Sequence, residues 1–350
     1  MRVTRGSELV VGDWPTSPEV VALLECSGAV LAWDVLADAP VPAARVHDVD
    51  RAAQWLWEVY GDAADAILGG FPEVEDPAVE DPAVEDPAVG ESGSGDRRVR
   101  DACRRAAQLN WASAWWPASV TAGVPALDTA VLRAELAVEL ATVEHLLDDP
   151  DAVERALASV VPLDASDPAL TALAGRVAAL AEDYGVVLPA VEVPRRSGFA
   201  LAAGGFGGGG AGIAALSGES TVDWSLVPHG AVDAAAPATW AVVRRQGRTV
   251  VEVAVLPGPR PGARLAARFG DVEVALDGVD EVGRLTGSTP VSAAVLLLPP
   301  DRRELIVYAP DFAEPAAPDP SAGPRRAAII SYARARTTSP TATLTERTAR

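Results

Sequence analysis

The spacing of apolar residues changes once along this 350-residue chain, near Ser220, and this change constrains the fold more than any other feature. Before that point apolar residues recur at helical spacing, as in segment 128–149. After it they alternate with polar residues in short runs bounded by glycine, proline and aspartate, which is typical of β-strands. We therefore expect an α+β fold in two domains, an N-terminal α-helical bundle followed by a C-terminal antiparallel β-sandwich of the immunoglobulin or fibronectin kind.

The predicted helical domain covers residues 1–190. Its helices are expected to begin where a capping side chain precedes proline, at Ser17-Pro18, Asp149-Pro150 and Asp167-Pro168. The first of these helices would run to about Cys26, and a longer helix over 51–70 would end at Gly69-Gly70. For residues 29–36 the pattern fits a strand and an apolar helix equally well.

The β-sandwich is predicted over residues 221–313. Strands are expected at 222–226 and 291–299 among others, with a hairpin turn at Gln246-Gly247. No helical crossover interrupts these strands, so parallel pairing is not expected. Residues 314–350 are predicted to form a linker rich in proline and alanine, a short basic helix and a disordered tail.

A low-complexity insert over residues 73–96 interrupts the helical domain. The pentapeptide EDPAV occurs three times in it, and its nine acidic residues face no basic residue. Proline at every fifth position of the repeat blocks both helix and sheet, and unopposed charge keeps such a segment solvated. We therefore predict that the insert is disordered. The alternative is an acidic tether that docks on a partner.

The linker predicted over residues 191–220 contains an uncharged stretch, 197–218, in which seven glycines fall between Gly204 and Gly212. Three interpretations are open. The stretch is an ordinary flexible linker, a nucleotide loop of the GxGxxG type, or a segment that is buried or enters a membrane interface once released. The match to the nucleotide loop is weak, because no strand–helix–strand unit surrounds it.

Arg195 and Arg196 directly precede this stretch and form a candidate cleavage site, because exposed flexible loops are where proteases cut. Phe206 lies among the glycines and is a candidate interaction residue, since flexible linkers seldom carry large apolar side chains. Regulated cleavage near Arg196 would separate the two domains. The competing interpretation is exposure without regulation.

The chain contains no lysine, since all 29 of its basic residues are arginine. A Walker A loop, a protein kinase and a Schiff-base enzyme each need a lysine, so these classes are excluded. The formal net charge of −20 opposes nucleic acid and anionic membranes, so nucleic acid is not expected as a partner, and a membrane is expected only if 197–218 is released. The N-terminal residues include no apolar run of signal-peptide length, and two cysteines are too few for a disulfide framework, so a cytoplasmic location is expected.

Candidate chemical groups lie in the helical half. Cys103 is surrounded by arginines that favour a reactive thiolate, although a small core residue is the competing interpretation. Glu144 and Asp148 beside His145 are spaced to share a divalent cation, and a solvated helix end is the competing interpretation. No catalytic residue, cofactor or metal is predicted from these patterns.

Nine tryptophans are a high count for one chain, and three of them fall close together at Trp111, Trp115 and Trp116. Tryptophan dominates binding hot spots and also fills cores in which small alanines leave room. These three are therefore candidate interaction residues, with a role in the core as the alternative.

Together these patterns favour a non-catalytic scaffold or adaptor. It would be an accessory subunit of a bacterial multi-protein system, of the stress or defence kind, that binds protein partners through its helical and β-sandwich modules. Two alternatives stay open. One is an enzyme subunit with a cryptic site in the helical domain, using Cys103 or the carboxylates near His145, and the other is a latent membrane-active effector released by cleavage near Arg196.

Overall fold

The computed structural model describes residues 2–5, 8–37, 39–69, 95–163, 167–189, 213–245, 247–297, 299, 302–315 and 319–349. The chain forms two compact units. The N-terminal unit comprises Met1–Trp115, Asp128–Val193 and Thr341–Thr348, and the C-terminal unit comprises Trp116–Leu127, Pro194–Pro340 and Ala349–Arg350. Except for Gly95 and Asp96, the predicted acidic insert lies outside the described residues, as does the glycine-rich segment up to residue 212.

A five-stranded antiparallel sheet opens the N-terminal unit. Its strands are β1 (Val3–Arg5), β2 (Leu9–Val11), β3 (Val21–Cys26), β4 (Ala29–Asp34) and β5 (Ala43–Val46), in the order β1-β2-β5-β4-β3. The N-terminal unit is therefore not the α-helical bundle that the sequence predicted, and of the two structures left open for residues 29–36 the strand is observed, as β4. The prediction of a helix after Ser17 is wrong, because Pro18–Val20 forms a single 3₁₀ turn without a side-chain cap and the chain then continues as a strand.

The hairpin of β3 and β4 explains why this stretch is a sheet. Ser27 and Gly28 connect the two strands, and Gly28 has a φ of 79°, a conformation that glycine adopts at no steric cost. A Cβ atom on Gly28 would lie 2.3 Å from the carbonyl oxygen of Asp48. Alternate β3 residues are buried opposite Leu31 and Trp33 of β4, so pairing across the turn outweighs the local helix signal at Pro18.

Seven α-helices follow this sheet within the described residues of 49–183. They are α1 (Val49–Ala52), α2 (Leu56–Tyr60), α3 (Ala63–Leu68), α4 (Arg97–Trp115), α5 (Thr129–Thr142), α6 (Ala152–Ala158) and α7 (Pro168–Asp183). The single helix predicted over 51–70 is interrupted, since Gly61 has a φ of 57° and separates α2 from α3. Of the other two predicted helix starts, one is confirmed and one is shifted along the chain. Asp167 caps α7 by accepting the N–H of Ala169, whereas α6 begins only at Ala152.

Two antiparallel sheets make up most of the C-terminal unit. Their strands are β6 (Ile213–Ser220), β7 (Ala238–Arg245), β8 (Arg248–Val255), β9 (Ala266–Phe269), β10 (Val272–Ala275), β11 (Gly278–Val279), β12 (Leu285–Val291) and β13 (Leu305–Tyr308). One sheet has the order β11-β12-β8-β7-β6 and the other β10-β9-β13. The predicted hairpin is confirmed, because Arg245 pairs with Arg248. The last eight residues of the predicted linker are strand β6.

Side chains from both sheets form one buried cluster in this unit. Trp240 and Val253 of the larger sheet join Phe269 and Val307 of the smaller one, and the rings of Trp240 and Phe269 lie 4.6 Å apart between centroids. The prediction of mixed helix and antiparallel sheet is thus confirmed. Two predicted strands are wrong, because Trp224–Leu226 and Ala293–Leu297 form 3₁₀ turns.

A buried carboxylate explains why Trp116–Leu127 belongs to the C-terminal unit. Asp233 is only 3% exposed and accepts hydrogen bonds from the hydroxyl of Ser119 (2.7 Å) and the N–H of Val120 (2.8 Å). It also accepts the N–H groups of Ala235 and Ala236. Several donors therefore satisfy the charge and fasten this distant stretch to the loop after Val232.

The C-terminal residues form two helices. The predicted short basic helix is α8 (Ala322–Arg336), which belongs to the C-terminal unit. The predicted disordered tail is wrong over α9 (Leu344–Arg347), which belongs to the N-terminal unit and begins with a capping box between Thr343 and Glu346.

Candidate functional site

An open groove of about 700 Å³ lies across the outer face of the five-stranded sheet of the C-terminal unit. Strand side chains alternate between the two faces of a sheet, so residues of β7 and β8 that do not enter the core form the floor of the groove. In β7, Val242 is buried in the core, whereas Thr239 and Ala241 line the groove. In β8, Glu252 and Ala254 line it.

The strand register aligns the floor residues in two rows that run across the sheet. The first row is Ser217, Ala241, Glu252 and Ser288. The second row is Glu219, Thr239, Ala254, Thr286 and Gly278. Adjacent strands lie about 4.8 Å apart, so directly opposed side chains are in contact range. Apart from the two glutamates these side chains are short, and the floor is therefore shallow enough to admit another chain.

Close packing leaves no room for a side chain at three glycines of this sheet, and at Gly287 a Cβ atom would lie 2.0 Å from the carbonyl oxygen of Ala275. A Cβ atom on Gly278 would lie 2.8 Å from Oγ1 of Thr286, inside the second row of the groove. On the core side, a Cβ atom on Gly218 would lie 2.6 Å from the ring of Trp240. Glycine therefore keeps the groove open on one face and seats the core tryptophan on the other.

The charges of the groove are unevenly paired. Glu252 forms a 3.0 Å ion pair with Arg245, and Arg284 forms a 2.8 Å ion pair with Asp280. Partial burial raises the pKa of Asp280, but the N–H and the guanidinium of Arg284 outweigh it, and the net pKa is lowered. Arg284, which lines the groove, and Arg245, the last residue of β7, are thus each engaged by a carboxylate within the unit.

Two further carboxylates line the groove without an ion-pair partner among the described residues, those of Glu219 and Asp277. Glu219 lies on the edge strand β6, and Asp277 directly precedes β11 at the opposite edge. The groove therefore presents negative charge at both of its ends over a floor of small residues. It can attract a cation-bearing ligand that spans the sheet.

The predicted tryptophan site is not a surface cluster. Trp111 is 2% exposed and donates its indole N–H to the carbonyl of Glu19 at 2.8 Å. Trp116 is 3% exposed and donates to the carbonyl of Pro125 at 2.9 Å. Trp115 is half-buried. Two of the three therefore serve as core residues with satisfied polar atoms.

The remaining predicted interaction and cleavage residues, Arg195, Arg196 and Phe206, lie outside the described residues. The three interpretations of 197–218 accordingly stay predictions for all but its last six residues, which lie in β6.

The polar cluster near His145 is divided among separate partners. The pairs are Tyr184 with Glu144, Glu58 with His145, Arg51 with Asp148 and Arg155 with Asp149. Over the described ranges, no group of three or more histidine, cysteine, aspartate or glutamate side chains is placed to hold a metal ion. The competing interpretation, a solvated and ion-paired helix end, fits this geometry better.

Cys103 is buried on the inner side of α4, and burial raises the pKa of its thiol to about 12, with the negative charge of Glu58 adding to the effect. The pKa of the buried Cys26 is also raised by burial.

At pH 8 about one Cys103 in ten thousand would be a thiolate. We expect iodoacetamide to label the native protein at least about 100-fold more slowly than the guanidinium-unfolded protein, in which both thiols should react. Rapid labelling of native Cys103 would contradict this expectation.

Sequence reasoning identified none of the groove residues. The hairpin at Gln246-Gly247 suffices to show which residues of β7 and β8 share a face, because side chains alternate along both strands. Their alignment with Ser217 and Thr286 depends on pairing with distant strands, which no local pattern records.

None of the helices in the described part of the chain is long and apolar enough to cross a bilayer. The chain was compared with protein-family models, with curated protein sequences and with solved structures, and none of the three comparisons gave a match.

Proposed function

We propose that this protein is a non-catalytic adaptor, an accessory subunit of a bacterial multi-protein system, and that the groove of its C-terminal unit binds an extended basic segment of a partner protein. In this proposal the two sheets form an immunoglobulin-like sandwich, a fold that commonly presents a sheet face or edge for recognition. The free, buried thiols of Cys26 and Cys103 support a reducing, cytoplasmic setting.

The observation that carries this proposal is the position of two carboxylates, Glu219 and Asp277, at opposite ends of the groove, neither with an ion-pair partner in the described part of the chain. The second row runs from β6 to β11, which is four strand spacings or about 19 Å. An extended chain advances about 3.3 Å per residue. A partner that meets both carboxylates therefore carries basic residues about six positions apart with small residues between them.

The floor favours binding over catalysis. Among the described residues, its lining contains hydroxyl groups, carboxylates and one guanidinium, but no cysteine or histidine. A nucleophilic serine or threonine needs an adjacent base that is held by a third group. Glu252, the carboxylate in the middle of the floor, is instead paired with Arg245. This arrangement suits electrostatic recognition, to which the net charge of −20 adds long-range attraction for a basic partner.

Binding of a labelled synthetic peptide tests the proposal. The peptide carries two arginines about six residues apart, separated by alanine and serine, and its counterpart carries glutamates in place of the arginines. Fluorescence anisotropy should show saturable binding of the arginine peptide alone. We expect the Glu219→Gln, Asp277→Asn double variant to bind about tenfold more weakly, since each exposed ion pair contributes up to about 1 kcal/mol.

Asp271→Asn is the matched control, because the Asp271 side chain is 96% exposed in the same unit and does not line the groove. It should bind the arginine peptide like the unmodified protein. Equal binding of both peptides, or unchanged binding by the double variant, would show that the groove does not recognise a basic segment.

A further inference from the structure

A second cavity, separate from the groove, lies in the C-terminal unit and has a volume of about 280 Å³. It lies at the end of β6 and along the edge strand β13, beside the first turn of α8. The residues that matter for its chemistry are Ser220, Thr221, Glu304 and Arg326. A cavity of this size accommodates a small metabolite and not a peptide segment.

Arg326 is the unusual residue of this cavity, because a guanidinium is seldom buried without a carboxylate. It is only 7% exposed. Its Nε donates to the carbonyl of Ala322 at 3.3 Å, and its Nη1 donates to the carbonyl of Val222. Within the part of the chain that the structure describes, no carboxylate lies within 4.0 Å of it. The neighbouring Arg325, by contrast, pairs with Asp319 at 3.1 Å.

The third guanidinium nitrogen of Arg326, Nη2, is open to a ligand. It has no hydrogen bond to any described residue, and it is not among the fully buried side-chain atoms that lack a partner. It is therefore accessible, and Arg326 lines the cavity. Two carbonyls each accept a hydrogen bond from one of its other two nitrogens but leave its charge uncompensated. A bound carboxylate would supply the missing charge.

The carboxylates around the cavity limit which anion fits. Asp223 accepts the N–H and the hydroxyl of Ser225, and Asp319 is held by Ser321 and Arg325, which lower its pKa to about 2. The side chain of Glu304 is exposed and has no partner among the described residues. These negative charges repel a dianion, and Glu304 offers a counter-charge to an ammonium group.

We propose that this cavity binds a small zwitterion of the α-amino-acid class. Its carboxylate contacts Nη2 of Arg326 and the hydroxyls of Ser220 and Thr221, and its ammonium group faces Glu304. Separated opposite charges on one small ligand match the separated guanidinium and carboxylate of the cavity. This site is independent of the groove, and either proposal can fail without the other.

Titration of the full-length protein with glycine, acetate and inorganic phosphate at constant ionic strength tests the assignment. Calorimetry or chemical-shift mapping should show saturable glycine binding with a dissociation constant in the millimolar range. Acetate should bind about tenfold more weakly, because it lacks the ammonium group, and phosphate should not bind. Phosphate binding that equals or exceeds glycine binding would overturn the proposal, as would the absence of glycine binding.

Substitutions at Arg326 and Glu304 test whether glycine binds in this cavity. Arg326→Gln should abolish glycine binding, and Arg334→Gln, the same change on the exposed face of α8, should leave it intact. Glu304→Gln alters only an exposed side chain, so it should fold normally and lose the preference for glycine over acetate. Glycine binding that survives Arg326→Gln, or a preference that survives Glu304→Gln, would show that the ligand binds elsewhere.

Discussion

Glu135→Ala is expected to lower the free energy of unfolding of the N-terminal unit by about 3 kcal/mol. Glu135 of α5 is 9% exposed, and its carboxylate accepts three hydrogen bonds of 2.8 Å, from the N–H of Leu344 and from the N–H and hydroxyl of Thr345. Alanine would leave these donors of α9 without a partner, and Thr345 is fully buried. Differential scanning calorimetry that resolves the two units would measure the loss.

A second set of hydrogen bonds connects the same segment to α4. Glu346 is 2% exposed, closes the capping box by accepting the N–H of Thr343 at 2.7 Å, and accepts the side-chain amide of Gln108 at 2.9 Å. Loss of Glu135 should therefore release α9 as a whole, and trypsin should cleave at Arg347 faster than in the unmodified protein.

Glu154→Ala is the control for this change. Glu154 lies on α6 of the same unit and is exposed, so its replacement should alter the unfolding free energy by no more than about 0.5 kcal/mol. If Glu135→Ala behaves like this control and Arg347 stays protected, the anchoring of α9 does not depend on Glu135.

The contact between Glu135 and α9 shows where local sequence signals are no longer sufficient to predict the structure. Thr343 and Glu346 have the spacing of a capping box, so a short helix at this position was within reach of the sequence. A four-residue helix is not stable alone, however, and its partner Glu135 lies more than 200 residues earlier. Local propensity predicts a disordered tail, whereas the observed helix depends on a long-range contact.

The same distinction separates the successes and failures of the fold prediction. Helices α4, α5 and α7 are long and strongly periodic, and the hairpin around Gly247 pairs neighbours in sequence, so these features were predictable. The strands of the N-terminal sheet are short, and β5 pairs with both β2 and β4. Their stability comes from partners that are distant in the chain, and the proline at position 18 pointed to a helix instead.

The candidate groove depends still more on distant contacts. Its floor combines residues from five strands, and a shift of one residue in the pairing of β6 would turn Glu219 towards the core. The bulge between Ala214 and Leu216 shows that this register is not regular along the whole strand. Sequence patterns indicate which residues of one hairpin share a face, but they do not indicate which strands lie beside it.

His229 should make the C-terminal unit sensitive to mild acid. Neither ring nitrogen has a hydrogen-bond partner among the described residues, and both are buried. Burial lowers the pKa of His229 to about 4, with a further contribution from the charge of Arg260, whose N–H donates to the carbonyl of the adjacent Gly230 at 2.8 Å. The ordinary pKa of 6.5 applies to the unfolded chain. At mildly acidic pH the unfolded chain therefore binds a proton at His229, whereas the folded unit does not.

This difference in pKa determines whether stability rises or falls with pH and the pH range in which it changes. Above pH 6.5 both states are neutral at His229, and between pH 6.5 and about 4 only the unfolded chain is protonated. Stability is therefore lost as the pH falls through this window, by roughly 3 kcal/mol in total from this group. Denaturant unfolding of the C-terminal unit at several pH values would measure it.

His229→Leu isolates the contribution of this side chain. Leucine has a similar volume and removes no hydrogen bond, because the histidine makes none with the described residues, so the variant should match or exceed the native stability at pH 7. Its unfolding free energy should change much less between pH 6.5 and 4. His145→Gln, an exposed histidine of the N-terminal unit, should leave the acid sensitivity of the C-terminal unit unchanged. Equal acid sensitivity in His229→Leu would instead assign the effect to carboxylates, of which Asp280 and Asp319 have lowered pKa values and lose their stabilising charge only at still lower pH.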